Sequence, residues 1–258
     1  MNKKDIQAAL STYRNHLKAS GISVPIEESN KGIRCVLFDM DGVLYNSMPN
    51  HAIAWTQSMK QFGIHMTTAD AYATEGARGI DTIRLFAQRQ LGKNLSIEEA
   101  QQMYDVKTDY FHKLPEPEIF PGVIDLMRQI QASGITIGVV TGSGQRPLIQ
   151  RLLRDFGEFL NETHIVTAYD VKRGKPYPDP YLMGLKKCGN YQPWQGVVIE
   201  NAPLGVRSGV AAHIFTIGVN SGPLPDSALE KEGAYLVYQK MTQLCKDWNT
   251  LLEESRNQ

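Results

Sequence analysis

Apolar and polar positions along this chain fall into two rhythms that take turns. Short β-branched runs recur at Val36-Leu37-Phe38, Ile135-Thr136-Ile137-Gly138-Val139-Val140, His164-Ile165-Val166, Gly196-Val197-Val198-Ile199 and Ile214-Phe215-Thr216-Ile217. Runs with little polar alternation suit strands buried on both faces. Most of them precede a segment of helical spacing, so the pattern predicts an α/β fold: a doubly wound parallel sheet with a Rossmann-like core.

Between residues 49 and 116 the rhythm changes. No strand-like run occurs there, and Ile53, Trp55, Met59 and Phe62, then Ile83, Leu85 and Phe86, repeat at helical spacing. Pro115-Glu116-Pro117 closes the stretch. This reads as an inserted α-helical cap, hung over the carboxyl edge of the sheet on two hinges. The core is then expected over residues 31–48 and 117–258. Residues 1–30 form an N-terminal helical extension, an amphipathic helix from about Lys4 to Leu17 leading into a linker, with no recognisable chemistry.

Composition narrows the partners. A chain of 258 residues has room for a larger domain carrying a smaller one. With 27 basic and 27 acidic residues the net charge is zero, which points to no nucleic acid or membrane and suits a small polar substrate. The start, Met-Asn-Lys-Lys-Asp, lacks an apolar signal core, and no stretch approaches the ~20 apolar residues of a membrane span. Cys35, Cys188 and Cys245 have neither paired nor metal-ligand spacing. A cytoplasmic protein in a reducing compartment is expected, as a monomer or weak dimer.

The candidate chemistry sits where the strands end. Asp39 and Asp41 follow the first run directly, and Gly42 lets the chain turn away. In open α/β sheets ligands bind beyond the carboxyl ends of strands, and two acids in one small site are one way to run nucleophilic catalysis. Asp41-Gly42 is also an ordinary turn signal. After the second run stands Val140-Thr141-Gly142-Ser143-Gly144-Gln145-Arg146-Pro147, a hydroxyl and flexible backbone at a strand-to-helix turn, where an anion is favoured. A dinucleotide fingerprint would need Gly where Pro147 stands. In Gly174-Lys175-Pro176-Tyr177-Pro178-Asp179-Pro180 the prolines stiffen a loop and present Lys175, whose ammonium suits both a carboxylate nucleophile and a phosphoryl group. The fourth run ends in Glu200-Asn201, with Pro203 suited to open a helix; oxygens there suit Mg²⁺ together with Asp39, although Asn201 reads equally as a helix cap.

Asp39-x-Asp41-Gly42-Val43, Thr141, Lys175 and Glu200-Asn201, in this order and at these strand ends, resemble the haloacid dehalogenase superfamily of phosphotransferases over about Arg34 to Val219. Asn46-Ser47 followed by His51 and Trp55 resembles its β-phosphoglucomutase-like subgroup, which also holds many sugar-phosphate phosphatases. The resemblance implies that Asp39 attacks phosphorus to form an aspartyl-phosphate and that Asp41 is the acid and base. It implies Mg²⁺ on Asp39, on the Asp41 carbonyl and on an oxygen of Glu200 or Asn201. Thr141, with the N–H groups of Gly142 and Ser143, and Lys175 would hold the phosphoryl oxygens, while His51, Trp55, Gly76 and Arg78 would face the substrate.

Two positions depart from the pattern. Asn201 stands where the family usually has an Asp that ligates the metal; an amide oxygen binds Mg²⁺ without full charge, so affinity falls unless Glu200 moves in. In Glu75-Gly76-Ala77-Arg78-Gly79 an acid precedes the glycine where β-phosphoglucomutases carry a basic residue. Glu75 would repel a second phosphate, and Arg78 is the candidate replacement cation. The expectation is therefore a phosphatase of small phosphorylated metabolites such as sugar phosphates. A β-phosphoglucomutase (an isomerase) and a catalytically weak binding protein are the alternatives. Halide removal is disfavoured by the second acid.

Overall fold

The computed structural model describes every residue except 26, 27, 29, 30, 145, 257 and 258. Part of the expected linker and Gln145 of the second loop therefore lie outside the described residues.

The chain opens with α1 (Lys3–Ala19) and β1 (Cys35–Phe38), then runs through α2 (Met48–Lys60), α3 (Thr68–Ala73), α4 (Gly79–Leu91) and α5 (Ile97–His112). It returns to the sheet by α6 (Val123–Ala132), β2 (Thr136–Val140), α7 (Arg146–Phe156) and β3 (Ile165–Val166). The second half is α8 (Asp179–Gly189), β4 (Gly196–Glu200), α9 (Pro203–Ala211), β5 (Phe215–Val219), α10 (Ser227–Glu230), β6 (Leu236–Tyr238) and α11 (Met241–Arg256).

The strands form a six-stranded sheet in the order β3-β2-β1-β4-β5-β6, parallel throughout. The five runs read from the pattern are β1 to β5, shifted by a residue or two at their ends. β6 was not read: three residues at a sheet edge leave too short a run to register. Successive strand residues face opposite layers. Val36 and Phe38 enter one apolar cluster with α1, α6 and α11, whereas Cys35 and Leu37 enter another with α8. Burial on both sides explains the near-continuous apolar runs.

Helix α1 starts on a capping box between Asn2 and Asp5 and turns Ile6, Ala9, Leu10, Tyr13 and Leu17 inward, one face at helical spacing. It belongs to the main core rather than standing apart from it.

Helices α2 to α5 share an apolar cluster of their own, including Trp55, Met59, Ile83, Phe86 and Met103. Capping boxes at Thr67/Asp70 and Ser96/Glu99 start α3 and α5. Among the described residues no helix is long and apolar enough to cross a membrane.

Chain order reverses between β1 and β4, because β2 and β3 are added on one side and β5 and β6 on the other. In doubly wound sheets the crevice beyond that switch point is where ligands sit. Asp39 and Asn201 are the residues that step out of β1 and β4 there.

Candidate active site

The register places Phe38 beside Ile199, so Asp39 and Glu200 leave the sheet side by side, and the Asp39 N–H donates to the Ile199 carbonyl at 3.0 Å. Lys175 enters beneath them from the proline loop, where the Lys175–Pro176 peptide is cis. Its ammonium donates to Asp39 Oδ1, to Glu200 Oε1 at 2.6 Å and to the Val140 carbonyl at 3.1 Å. Glu200 is fully buried and also accepts from the Tyr181 hydroxyl at 2.7 Å and from the Asn201 and Ala202 amides at 2.9 and 3.1 Å. That arrangement makes Glu200 the counter-ion that anchors Lys175. Both Glu200 oxygens are taken by these donors, so it stands behind the expected Mg²⁺ position rather than in it.

Burial raises the Asp39 carboxyl to about 8, with Lys175 pulling the other way and Glu200 adding to the rise. Burial disfavours the Lys175 ammonium, but Asp39 and Glu200 outweigh it and hold its pKa above the ordinary value.

Asp41 occupies a different environment. Gly42, at φ 77°, turns the chain back so that its N–H donates to the Tyr45 carbonyl at 2.8 Å. The turn brings Ser47 round to donate to Asp41 Oδ1 at 2.6 Å, and His51 Nε2 lies 3.1 Å from the same oxygen. On the far side of the imidazole, Lys107 Nζ is 2.7 Å from Nδ1. An ammonium only donates, so Nδ1 accepts and the ring proton sits on Nε2, facing Asp41. The ring is fixed by stacking on Phe111, with centroids 4.3 Å apart. Burial opposes the Asp41 charge, but His51, Ser47 and Lys107 overcome it and depress the carboxyl to about 2. Burial also lowers His51, helped by Lys107, and lowers Lys107 itself to about 8.

Lys107 is the functional residue that the sequence reading missed. It sits on α5 in the stripe Ala100, Met103, Lys107, Phe111, all turned inward, and only 2% of it is exposed. A lysine in an otherwise apolar helical stripe was the available signal.

The two aspartates share one cavity between the sheet edge and the helical insertion. Of the residues expected at the site, Thr141, Gly142, Ser143, His51, Trp55 and Gly76 all line it. The Thr141 hydroxyl accepts the Ser143 N–H at 3.0 Å, which shapes the loop around the cavity floor. Gly142 and Gly76 meet where the core and the insertion touch: a Cβ on Gly142 would lie 3.1 Å from the Gly76 carbonyl. Trp55 is at once a wall of the cavity and part of the insertion's apolar cluster. Arg78 turns elsewhere. Its guanidinium pairs with Asp81 at 2.8 Å and donates to the Lys172 carbonyl at 3.0 Å, outside the cavity.

Glu75 takes the place opposite Asn201. The Asn201 Nδ2 donates to Glu75 Oε1 at 2.8 Å, which fixes the amide so that its Oδ1 is buried with no hydrogen-bond partner. Asn201 does not cap α9, whose first turn starts at Ala202 without a side-chain cap. Asn201 meets the Asp41-Gly42 turn through its Nδ2, and its buried, unpaired Oδ1 is an oxygen of the kind a hard cation takes. No group of three or more His, Cys, Asp or Glu is gathered as a metal site among the described residues. Such a grouping counts neither an amide nor a main-chain oxygen. The cavity itself is tight, about 70 Å³, against the few hundred usual for small-molecule sites.

Comparison with known proteins agrees with this geometry. A family model described as haloacid dehalogenase-like hydrolase matches residues 33–213. Hexitol phosphatase A of Escherichia coli is 33% identical over 193 residues, which cover 73% of this chain and 85% of that protein. The β-phosphoglucomutase of Bacillus subtilis is 28% identical, over 74% of this chain and 84% of its own length. A solved structure from Bacteroides vulgatus, provisionally named a β-phosphoglucomutase, is 43% identical with a TM-score of 0.90, covering both chains completely.

Proposed function

The chain belongs to the haloacid dehalogenase-like hydrolases, and from that membership and the site geometry we propose a Mg²⁺-dependent phosphatase of small phosphorylated metabolites, sugar phosphates among them. The observation that carries this reading is the contrast between the two aspartates. Asp39 is held against a buried ammonium at the switch point of the sheet, while Asp41 is held by hydrogen-bond donors from the helical insertion and its approach.

Asp39 is the nucleophile. Its carboxylate attacks phosphorus in line, the ester oxygen leaves, and the phosphoryl group is carried as an aspartyl-phosphate. Asp41 handles the proton. It stands ionised in the free site, and the charge of an arriving phosphoryl group raises its proton affinity, so that it takes up a proton from solvent as the ester binds and gives it to the leaving oxygen. It then takes a proton from the water that cleaves the intermediate. His51, steadied by Lys107, keeps Asp41 pointed at that oxygen. Lys175 neutralises charge on Asp39 and on the transferred group, and Thr141 with the loop amide of Gly142 binds its oxygens. Asp39, the main-chain carbonyl of Asp41 and Asn201 Oδ1 would hold Mg²⁺, which when bound draws charge from the phosphoryl oxygens.

The helical insertion acts as a cap. A cavity of about 70 Å³ leaves little room for a sugar phosphate, so the cap moves away to admit one and closes over it to exclude water. A mutase must also grip the second phosphate of a bisphosphate. Here the carboxylate of Glu75 lines the cavity and Arg78 is turned away from it, which favours hydrolysis over isomerisation. The three free thiols suit a reducing, cytoplasmic setting.

The test is phosphate release from an aryl phosphate and from a panel of sugar phosphates, with and without Mg²⁺. Release that requires Mg²⁺ and falls to background in Asp39→Asn is expected. Incubation with β-glucose 1-phosphate and a trace of the 1,6-bisphosphate separates the alternative: glucose 6-phosphate without free phosphate would establish a mutase.

A further inference from the structure

Asn201 leaves this site one carboxylate short of its relatives' pattern, and the fold brings another to the same spot from a different part of the chain. Glu75 lies in the turn between α3 and α4 of the cap, 126 residues away in sequence, and is buried at 9% exposure. It meets Asn201 through the 2.8 Å hydrogen bond, and it meets the Asp41-Gly42 turn as well: a Cβ on Gly42 would lie 2.9 Å from Glu75 Oε1. Burial raises its carboxyl well above the ordinary value, with the Asn201 bond pulling the other way and the neighbouring Asp39, Glu200 and Asp41 adding to the rise.

Placing a fourth carboxylate here is costly unless a cation joins it. The ionisable groups gathered at this sheet edge, among the described residues, are Asp39, Asp41, Glu75 and Glu200 against Lys175 and Lys107, with the His51 imidazole between Lys107 and Asp41. The orientation of the Asn201 amide fits the same account. Its NH₂ is spent on Glu75, which leaves its oxygen, buried and unpartnered, as the atom offered to a ligand. An Asp at position 201 would instead face Glu75 as a like charge.

We propose that Glu75 supplies, from the cap, the negative charge that Asn201 lacks in the divalent-cation site, so that cation binding and cap closure are one event in this chain. This rests on the Mg²⁺-dependent reading above. Three of the four contributors, Asp39, Asp41 and Asn201, ride on the core, and Glu75 rides on the cap. Opening the cap therefore removes charge from the site, and a bound cation holds the cap shut over it.

The experiment is Mn²⁺ binding by the full chain, without substrate, followed by calorimetry and by the electron-spin signal of free Mn²⁺. Wild type is compared with Glu75→Gln, Asn201→Asp and the double variant. Glu75→Gln is expected to weaken Mn²⁺ binding about tenfold or more, and Glu75→Gln/Asn201→Asp to return to within about threefold of wild type. Asn201→Asp alone, with two carboxylates facing, should melt lowest without metal and gain most on adding it. Mn²⁺ should slow amide exchange across α2 to α4 in wild type and fail to do so in Glu75→Gln. A metal-free melt of Glu75→Gln close to that of wild type separates lost binding from lost folding. If folded Glu75→Gln binds Mn²⁺ as tightly as wild type, the proposal is overturned while the Mg²⁺ reading stands. If wild type binds no Mn²⁺ at millimolar concentration, both fall.

Discussion

Two buried lysines serve this site, one from the core and one from the helical insertion, and their surroundings have been made opposite. Lys175, from the core, is 4% exposed and bonded to two carboxylates and a carbonyl; its pKa is driven above the ordinary lysine value. Lys107, from the cap, is 2% exposed and bonded to a neutral imidazole, among the rings of Trp55, Tyr104 and Phe111 at 5.1 to 5.7 Å; its pKa is driven down to about 8. Burial is equal and penalises both ammonium groups, so the partners decide the direction. The core lysine is a fixed counter-ion built into the sheet edge. The cap lysine holds its charge weakly, with aromatic faces and one distant carboxylate to balance it.

The comparison breaks first at Lys175. Replacing it with Met leaves Asp39 and Glu200 buried against each other without a cation, and removing one partner of a buried ion pair costs about 3 to 5 kcal/mol. In a protein of this size that is a fall in melting temperature on the order of 10 °C, since each kcal/mol moves it by about 2–4 °C. Lys175→Met is expected to show that fall in calorimetry and to release phosphate no faster than background. An unshifted melt would mean that the two carboxylates do not depend on the lysine.

Lys107→Met should behave in the contrary way. It removes an ammonium that burial disfavours, and His51 can then carry the charge that faces Asp41, so the variant is expected to melt no lower than wild type. Activity should fall about a hundredfold, the scale of general acid–base assistance, because Asp41 loses its alignment. The pH dependence gives a sharper reading. Lys107 is lowered from 10.5 to about 8 and Asp39 is raised to about 8, so in wild type the fall in kcat/KM from Lys107 is set against the rise as Asp39 ionises, and Lys107→Met should keep only the rise. For stability the sign of the Lys107 effect is the reverse. The folded state gives up this proton before the unfolded chain does, so between pH 8 and 10.5 the unfolded state binds more protons and folding gains as pH rises. Wild type should show that gain in denaturant titrations, and Lys107→Met should not.

The same contrast explains how much of the site was legible in the sequence. Asp39, Thr141, Lys175 and Glu200 were readable because each lies at the end of an apolar run or, for Lys175, just before a proline cluster, so a local pattern marks the place. Lys107 has no such marker. Its partner His51 is 56 residues away, and the two are joined only by the packing of α2 on α5. The direction of Asn201 was hidden for the same reason. It forms no helix cap, and its Nδ2 is held by Glu75, which lies on another element altogether. The expectation that Arg78 faces the substrate overlooked a signal that was present, because Asp81 stands three residues on, where a helix puts a partner within reach.

Arg78 therefore offers the smallest effect and a direct check on the balance between cap and core. Its ion pair with Asp81 is about a third to a half exposed, and exposed pairs contribute roughly 0 to 1 kcal/mol. Its other bond, to the Lys172 carbonyl, reaches from the start of α4 to the loop that carries Lys175, with its Cγ packed against Gly174. Arg78→Ala should leave kcat on a monophosphate within about twofold and raise KM by no more than about threefold, through a cap that closes slightly less firmly. Steady-state kinetics on two substrates decides the matter, because a guanidinium that bound a second phosphate would make the variant selectively poor on a bisphosphate. Equal, small changes on both substrates are the expected result. They would leave the cap with Lys107 as its one buried cation at the cavity among the described residues, already committed to His51, and so without a free positive charge to hold a second phosphate.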